Sequence, residues 1–286
     1  MTIESVKRHI QRKSFVKKLR SLVTADDLYL ITKIFEEKNW MAYFGHEIVI
    51  NKYLDMLGKL NENQKSLFLD LTSRFHWQTD YTKDIVDLLN KILTEFKNYE
   101  NYYVIRCIKK EDQRKSKSSG VVLYEIKNPQ VKSQLVKQVI VLDNMSDMTK
   151  RVKDFKKSLF ILVDDFVGTG DTAVACMEDL KEKAKEIEGR MVIMCVAALK
   201  QGKERLKELG VPVITKLIQR RGIRDYYKGD SLIKNIELMN EMETIFQVRN
   251  NHFGYKESEG LICLKRCPNN TFPIYWHGKN SPYPRY

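Results

Sequence analysis

The 286-residue chain is 43% hydrophobic and 30% charged, with a formal net charge of +13. That length and apolar content suffice for a buried core in one large domain or two modest ones, which excludes a generally disordered chain. No stretch approaches the roughly 20 uninterrupted apolar residues of a membrane span, and no apolar run follows the first charges as in a signal peptide, so a soluble, cytoplasmic chain without a membrane partner is expected.

The chain opens on VKRHIQRKSFVKKLR, residues 6–20, in which Lys7, Arg8, Arg12, Lys13, Lys17, Lys18 and Arg20 surround Val6, Ile10, Phe15, Val16 and Leu19. The pattern predicts a basic amphipathic helix, either a solvated face or a docking site for nucleic acid or an acidic partner. Helical spacing continues to about residue 98 and is clearest in YTKDIVDLLNKILTEF, where Ile85, Leu88, Leu89, Ile92 and Phe96 share one side. Residues 1–98 are therefore expected to form a helical N-terminal region. Within it His76 stands beside Trp77, a setting more common for structural than for catalytic histidines.

From residue 99 to 225 short β-rich runs, YYVIRCI, QVIVLD, SLFILVDD, RMVIMCVAAL and VPVITKLI, alternate with stretches long enough to be crossover helices. Apolar runs without alternation indicate strands covered on both faces, so the expectation is an α/β core with a doubly wound parallel sheet. The basic, serine-rich stretch KKEDQRKSKSSG follows the first of these runs. Its Lys109, Lys110, Lys115 and Lys117 bring positive charge, and Ser118, Ser119 and Gly120 offer free N–H groups if they open a helix. Arg220 and Arg221 follow the last run and suit bidentate phosphate contacts. Solvated surface charge accounts equally well for both clusters.

Residues 226–286 are expected to form an irregular cap on the core. In PNNTFPIYW, Asn269 and Asn270 are candidates to read a base edge and Tyr275 or Trp276 to stack on one, although packing is the commoner use of a Trp. Cys263 and Cys267 form a lone C-x3-C pair with His277 ten positions on, a weak zinc signal. The five cysteines are an odd number, with Cys176 and Cys195 inside apolar segments, which suits a reducing compartment.

The chemistry concentrates in FILVDDFVGTGDTA, residues 160–173, where four apolar residues enter Asp164 and Asp165 and a small-residue turn leads into a helix. Strand, turn and helix place this turn at the carboxyl end of a strand, where open α/β sheets bind ligands. The turn from Gly168 to Thr172 supplies glycine flexibility, hydroxyls and N–H groups at a helix N-terminus, a cradle for phosphate. The two aspartates precede it at a distance suited to the hydroxyls of an attached sugar. A Walker-B-like strand would need a G-x-x-x-x-G-K-[ST] loop, which the chain does not contain. Gly168, Gly170 and Ala173 satisfy G-x-G-x-x-A, but where a dinucleotide site wants a carboxylate about 20 residues on, this chain has AALKQGK. Ordinary loop chemistry at a strand end is the remaining account.

ILVDDFVGTGDT resembles the signature of the type I phosphoribosyltransferases, two acids followed after three residues by T-G-x-T. The resemblance implies that the chain binds 5-phosphoribosyl 1-pyrophosphate with Mg2+, held mainly by the ligand's own oxygens and by Asp164 or Asp165. It implies further that Asp164 and Asp165 hold the ribose hydroxyls and supply charge to an oxocarbenium-like transition state. Gly168, Thr169, Gly170, Asp171 and Thr172 would wrap the 5-phosphate, with Lys109, Lys110 or Arg220 on the pyrophosphate side. Asp171 departs from the family pattern by bringing a third carboxylate toward the phosphate unless it points away. Together with RFHWQTDY and the C-terminal stretch, the chain also looks similar to the phosphoribosyltransferase-like proteins of bacterial defence cassettes, some of them beside retron reverse transcriptases. That likeness implies an anti-phage effector acting by glycosidic-bond transfer or cleavage. Nucleic acid or a reverse-transcriptase complex would be its partner through the basic helix, and it would be a possible homo-oligomer. The alternative is a catalytically inactive sensor of a phosphoribosyl ligand or nucleotide acting through partners, and a nucleic-acid binder without small-molecule chemistry would instead turn the acidic pair toward phosphates.

Overall fold

A threonine or asparagine followed three residues on by an acid or amide starts a helix by satisfying its orphan N–H groups. The computed structural model, which describes residues 23–112, 118–144 and 147–284, shows this twice. In α1 (Ala25–Glu37) the Thr24 hydroxyl accepts from the Asp27 N–H at 3.0 Å while the Asp27 carboxylate accepts from the Thr24 N–H at 2.9 Å. After α2 (His46–Leu57), Asn61 and Gln64 do the same for α3 (Glu62–Arg74). A two-residue strand, β1 (His76–Trp77), follows. The basic segment 6–20, Lys115 and Lys117 lie outside the described residues.

Just ahead of the next helix, whose N-cap is Tyr81, Asp80 accepts from the N–H of Thr82 at 2.9 Å, and α4 (Thr82–Glu95) runs into β2 (Asn101–Arg106). Then come α5 (Ser118–Lys127), α6 (Pro129–Lys132), β3 (Ile140–Leu142), α7 (Asp147–Arg151) and β4 (Ser158–Val167). The alternation ends with α8 (Asp171–Lys183), β5 (Met191–Leu199), α9 (Lys200–Glu208) and β6 (Val213–Gln219). The five strands β3-β2-β4-β5-β6 form one sheet in that order, every pair parallel. Side chains alternate across a strand. Phe160, Leu162, Ile193 and Cys195 enter a core with Cys176, Met177 and Leu180 of α8 and Leu206 of α9, while α4 and α5 pack on the strands as well. This is the doubly wound α/β fold, and helices on its faces explain why β4 and β5 are nearly continuous apolar runs.

The chain closes with α10 (Gly229–Ile245) and β7 (Ile262–Cys263), which pairs in parallel with β1. Two compact units result, Met1–Thr79 with Arg221–Tyr286, and Asp80–Arg220. Set beside the three consecutive spans expected from the sequence, the units place α4 with the sheet and residues 226–286 with the N-terminal helices. The first unit is held by aromatic side chains in edge and stacked contacts, such as Phe35 with Trp40 at 5.1 Å and Phe68 with Tyr275 at 5.6 Å between ring centres. No helix among the described residues is long and apolar enough to cross a membrane.

Candidate functional site

The sheet order reverses at β2, with β3 on one side and β4 on the other. At such a switch point the loops after the two central strands leave in opposite directions and open a crevice at the strand ends. Arg106 at the end of β2 lies opposite Val163, so Asp164 and Asp165 project where β2 has given way to Cys107, Ile108 and Lys109.

The alternation of β4 sends the two carboxylates to different faces. Asp164 shares the side of Phe160 and Leu162 and meets the thiol of Cys176, which hydrogen-bonds to Cys107. Asp165 is 3% exposed and accepts from the Ser118 hydroxyl at the start of α5. Both carboxyls are pushed above the usual carboxylate range by burial, and Asp164 further by the negative charge of Asp165; the Ser118 hydroxyl holds Asp165 down in part. Asp164 Oδ1 also accepts from the Asp165 N–H at 2.9 Å, fixing the pair in one arrangement. Buried Tyr81, just before α4, lies within the field of both aspartates; burial first, then Asp165, pushes its phenol ionisation up.

Beyond β4, Gly170 adopts φ +85° as the N-cap of α8. That left-handed conformation favours glycine, and it turns the chain so that α8 starts directly above the strand end. Among the described residues the N–H groups of Gly170, Thr172 and Ala173 make no hydrogen bond, and the first one returned to the loop is Val174 N–H to the Gly170 carbonyl at 2.9 Å. Unbonded donors at the positive end of a helix are an arrangement suited to an anion. Asp171 is turned to α9, where Arg205 donates to its Oδ1 at 2.6 Å and to the Thr169 carbonyl at 3.0 Å.

Gly202 on α9 has a role that the sequence alone did not disclose. A Cβ there would lie 2.1 Å from the Gly168 carbonyl oxygen and 3.3 Å from the Gly170 nitrogen, so helix and loop meet backbone to backbone. Leu206, fully buried, supports Gly170 from the same face of α9. Tyr81, Gly202 and Arg205 are thus additions to the expected set. The G-K-E-R-L spacing of 202–206 puts residues i, i+3 and i+4 on one helical face, but nothing local says which loop that face meets.

The other expected residues divide. Ser119 is 1% exposed, Gly120 has open space around its Cα, and Lys109 and Lys110 follow β2 as half-buried and exposed side chains. Arg220 is exposed at the end of β6, with β5 between that strand and β4. Arg221 belongs to the first unit and is committed to Asp225, with its Nε and Nη2 both donating to Oδ1, at 3.0 and 2.8 Å. Asn269, Asn270 and Trp276 also belong to the first unit: buried Asn270 donates to the Ser258 hydroxyl at 3.1 Å, buried Trp276 donates to the Thr271 carbonyl at 2.7 Å, and the Asn269 carbonyl accepts from Tyr255. The side-chain donors of Asn270 and Trp276 are thus taken up locally, whereas of Asn269 it is the main-chain carbonyl that is engaged. His76, in the same unit, pairs with Gln78 at 3.0 Å. Cys263 and Cys267 are buried thiols that donate to main-chain carbonyls, and among the described residues no group of three metal-ligating side chains forms. An open cavity of about 600 Å³ in the first unit, bordered by Lys59, Phe246, Arg249 and His277, holds none of the residues expected to meet phosphate, sugar or base.

Magnesium favours oxygen ligands and retains several from water or substrate. At the crevice Asp164 and Asp165 supply carboxylate oxygens, the ligand type magnesium takes, with Asp164 still partly open to solvent.

The family model PRTase-CE matches residues 38–285. No curated protein matches the chain.

Proposed function

The chain belongs to the PRTase-CE family, phosphoribosyltransferase-like proteins, and from that premise we propose that the crevice of the Asp80–Arg220 unit binds 5-phosphoribosyl 1-pyrophosphate or a related ribosyl phosphate. One observation carries the ligand class: a carboxylate pair near the end of β4, Asp164 and Asp165, is followed after one short turn by the unbonded N–H groups at the start of α8, the order in which a ribose and its 5-phosphate would be met. In this reading the orphan N–H groups of Gly170, Thr172 and Ala173 take the phosphate while Asp164 and Asp165 accept from the ribose 2- and 3-hydroxyls. Magnesium, bound through ligand oxygens with Asp164 or Asp165, would supply charge neutralisation for a departing pyrophosphate. Negative charge from the same pair suits an oxocarbenium-like transition state in glycosidic transfer or cleavage. Lys109 and Lys110, on the loop after β2, supply positive charge on the pyrophosphate side.

The setting in bacterial anti-phage defence, with a nucleic-acid or reverse-transcriptase partner, is part of the same proposal and is supported by the likeness of the flanking segments in the sequence. The test of ligand class is thermal unfolding with magnesium plus 5-phosphoribosyl 1-pyrophosphate, beside ribose 5-phosphate, AMP, ATP and NAD. Ligand at 100 times its dissociation constant stabilises by about 2.7 kcal/mol, enough to move the midpoint by several degrees. A shift that disappears in Asp164→Asn/Asp165→Asn supports the assignment; no shift with any ribosyl phosphate would sink it. Release of pyrophosphate from the bound ligand then separates an enzyme from a sensor.

A further inference from the structure

We infer that Arg205 of α9 is a positioning residue of the phosphate cradle, the cation that lets a loop carrying Asp171 accept a phosphomonoester dianion. The inference rests on the ligand class proposed above and adds a residue outside the twelve-residue signature. Three observations on two neighbouring elements carry it. Gly202 brings the α9 backbone against Gly168 and Gly170, so the helix has no freedom to sit elsewhere without moving the loop. One turn further along, Arg205 faces that loop and donates to both the Thr169 carbonyl, at 3.0 Å, and Asp171 Oδ1, at 2.6 Å. The Asp171 side chain is 16% exposed and that of Arg205 44%, so the carboxylate is tucked against α9 while the guanidinium keeps an open side.

The consequence is electrostatic. A carboxylate in the first turn of α8 complements the helix dipole, but it sits in the turn whose N–H groups would hold a dianion, and like charges at such range repel. Arg205 removes that repulsion in two ways. Its charge cancels that of Asp171, and its two hydrogen bonds hold the carboxylate on the α9 side of the loop. One guanidinium nitrogen, Nη1, serves the Thr169 carbonyl and Asp171 at once, so a single side chain both neutralises the carboxylate and fixes it to the loop.

Calorimetric titration of the full chain with ribose 5-phosphate, and with 5-phosphoribosyl 1-pyrophosphate plus magnesium, tests this in four proteins: wild type, Arg205→Gln, Asp171→Asn and the double variant. Glutamine keeps an N–H for the Thr169 carbonyl but removes the charge. Arg205→Gln is expected to weaken both ligands by about tenfold, because the Asp171 charge is left uncompensated beside the bound phosphate. The double variant is expected to return to within about threefold of wild type, because the repelling carboxylate has gone as well. Thermal midpoints of the free proteins establish that all four are folded. Equal affinity of wild type and Arg205→Gln would overturn the assignment of Arg205 while leaving the cradle intact. Equal losses in Arg205→Gln and the double variant would also overturn it, since they would make Arg205 a structural brace. A wild type that binds neither ligand would overturn both the ligand class and this role.

Discussion

Asp164 and Asp165 are placed where carboxylates are least comfortable, next to each other and largely removed from water. Burial and mutual repulsion both disfavour the ionised pair, so in the absence of ligand the site costs stability. Asp164→Asn should therefore raise the thermal midpoint by roughly 2–4 °C for each kcal/mol relieved in metal-free buffer at neutral pH, while abolishing the ligand-dependent shift. A midpoint that falls would show that the Asp164 carboxylate is repaid by contacts such as its hydrogen bond from the Asp165 N–H. Gly202 makes the opposite case. Gly202→Ala places a methyl group where the Gly168 carbonyl oxygen stands only 2.1 Å away, and neither backbone is a flexible side chain that can swing aside. Overpacking of this kind costs about 1–3 kcal/mol, and the displaced atoms belong to the cradle itself. The variant should fold with a lowered midpoint and lose far more ligand affinity than stability, read by denaturant titration beside calorimetry. The acid pair and Gly170 are legible in the sequence because their chemistry is local to one strand and one turn. Gly202 and Arg205 are not, because only the parallel pairing of β4 with β5 brings the start of α9 to the loop after β4.

Helix starts show the same division between local and tertiary information. The capping pairs Thr24 with Asp27 and Asn61 with Gln64 are written in consecutive residues, yet Asp27 has a second partner from another helix. Lys65 on α3 donates to Asp27 at 2.8 Å, with both side chains under 10% exposed. Burial alone would raise the Asp27 carboxyl; the Lys65 ammonium with the Thr24 N–H and hydroxyl overcomes it and holds the group below its ordinary 3.8. A carboxyl lowered on folding contributes stability that is present above pH 3.8 and lost as pH falls through the lowered value. In Lys65→Met the cation is gone and burial is opposed by the Thr24 hydrogen bonds alone, so removing one partner of this buried pair costs about 3–5 kcal/mol near neutral pH. The Asp27 carboxyl of that variant should be raised instead, so its penalty is relieved on acidification. Urea titrations from pH 7 to pH 3 should accordingly show the gap between wild type and variant closing as pH falls; a constant gap would mean that the pair acts through packing alone. Periodicity likewise announces α4 by its apolar stripe, Ile85, Leu88, Leu89 and Ile92, but cannot say that the stripe covers a sheet rather than other helices.

The division of the whole chain follows from that last point. Every strand of the five-stranded sheet, with helices α4, α5, α8 and α9, falls within the continuous segment Asp80–Arg220, whereas the other unit needs both ends of the chain, since its strand β1 pairs with β7 from far along the sequence. A segment with its own core, its own helix-start hydrogen bond at Asp80 and a parallel sheet complete in itself has what cooperative folding requires. Residues 80–220 expressed alone should therefore unfold in a single denaturant transition and retain the shift with 5-phosphoribosyl 1-pyrophosphate and magnesium, because the acid pair, the cradle, Gly202 and Arg205 all lie inside it. Residues 1–79 alone should show no such transition, since the strand partner of β1 and the aromatic partners Tyr275 and Tyr283 are supplied by the C-terminal segment. A folded 80–220 segment that has lost the ligand shift would place an essential binding group in the first unit and reopen the role of the C-terminal asparagines and Trp276. An unfolded one would mean that the sheet's core is insufficient alone, and that the joining of the units is part of how this sequence specifies its fold.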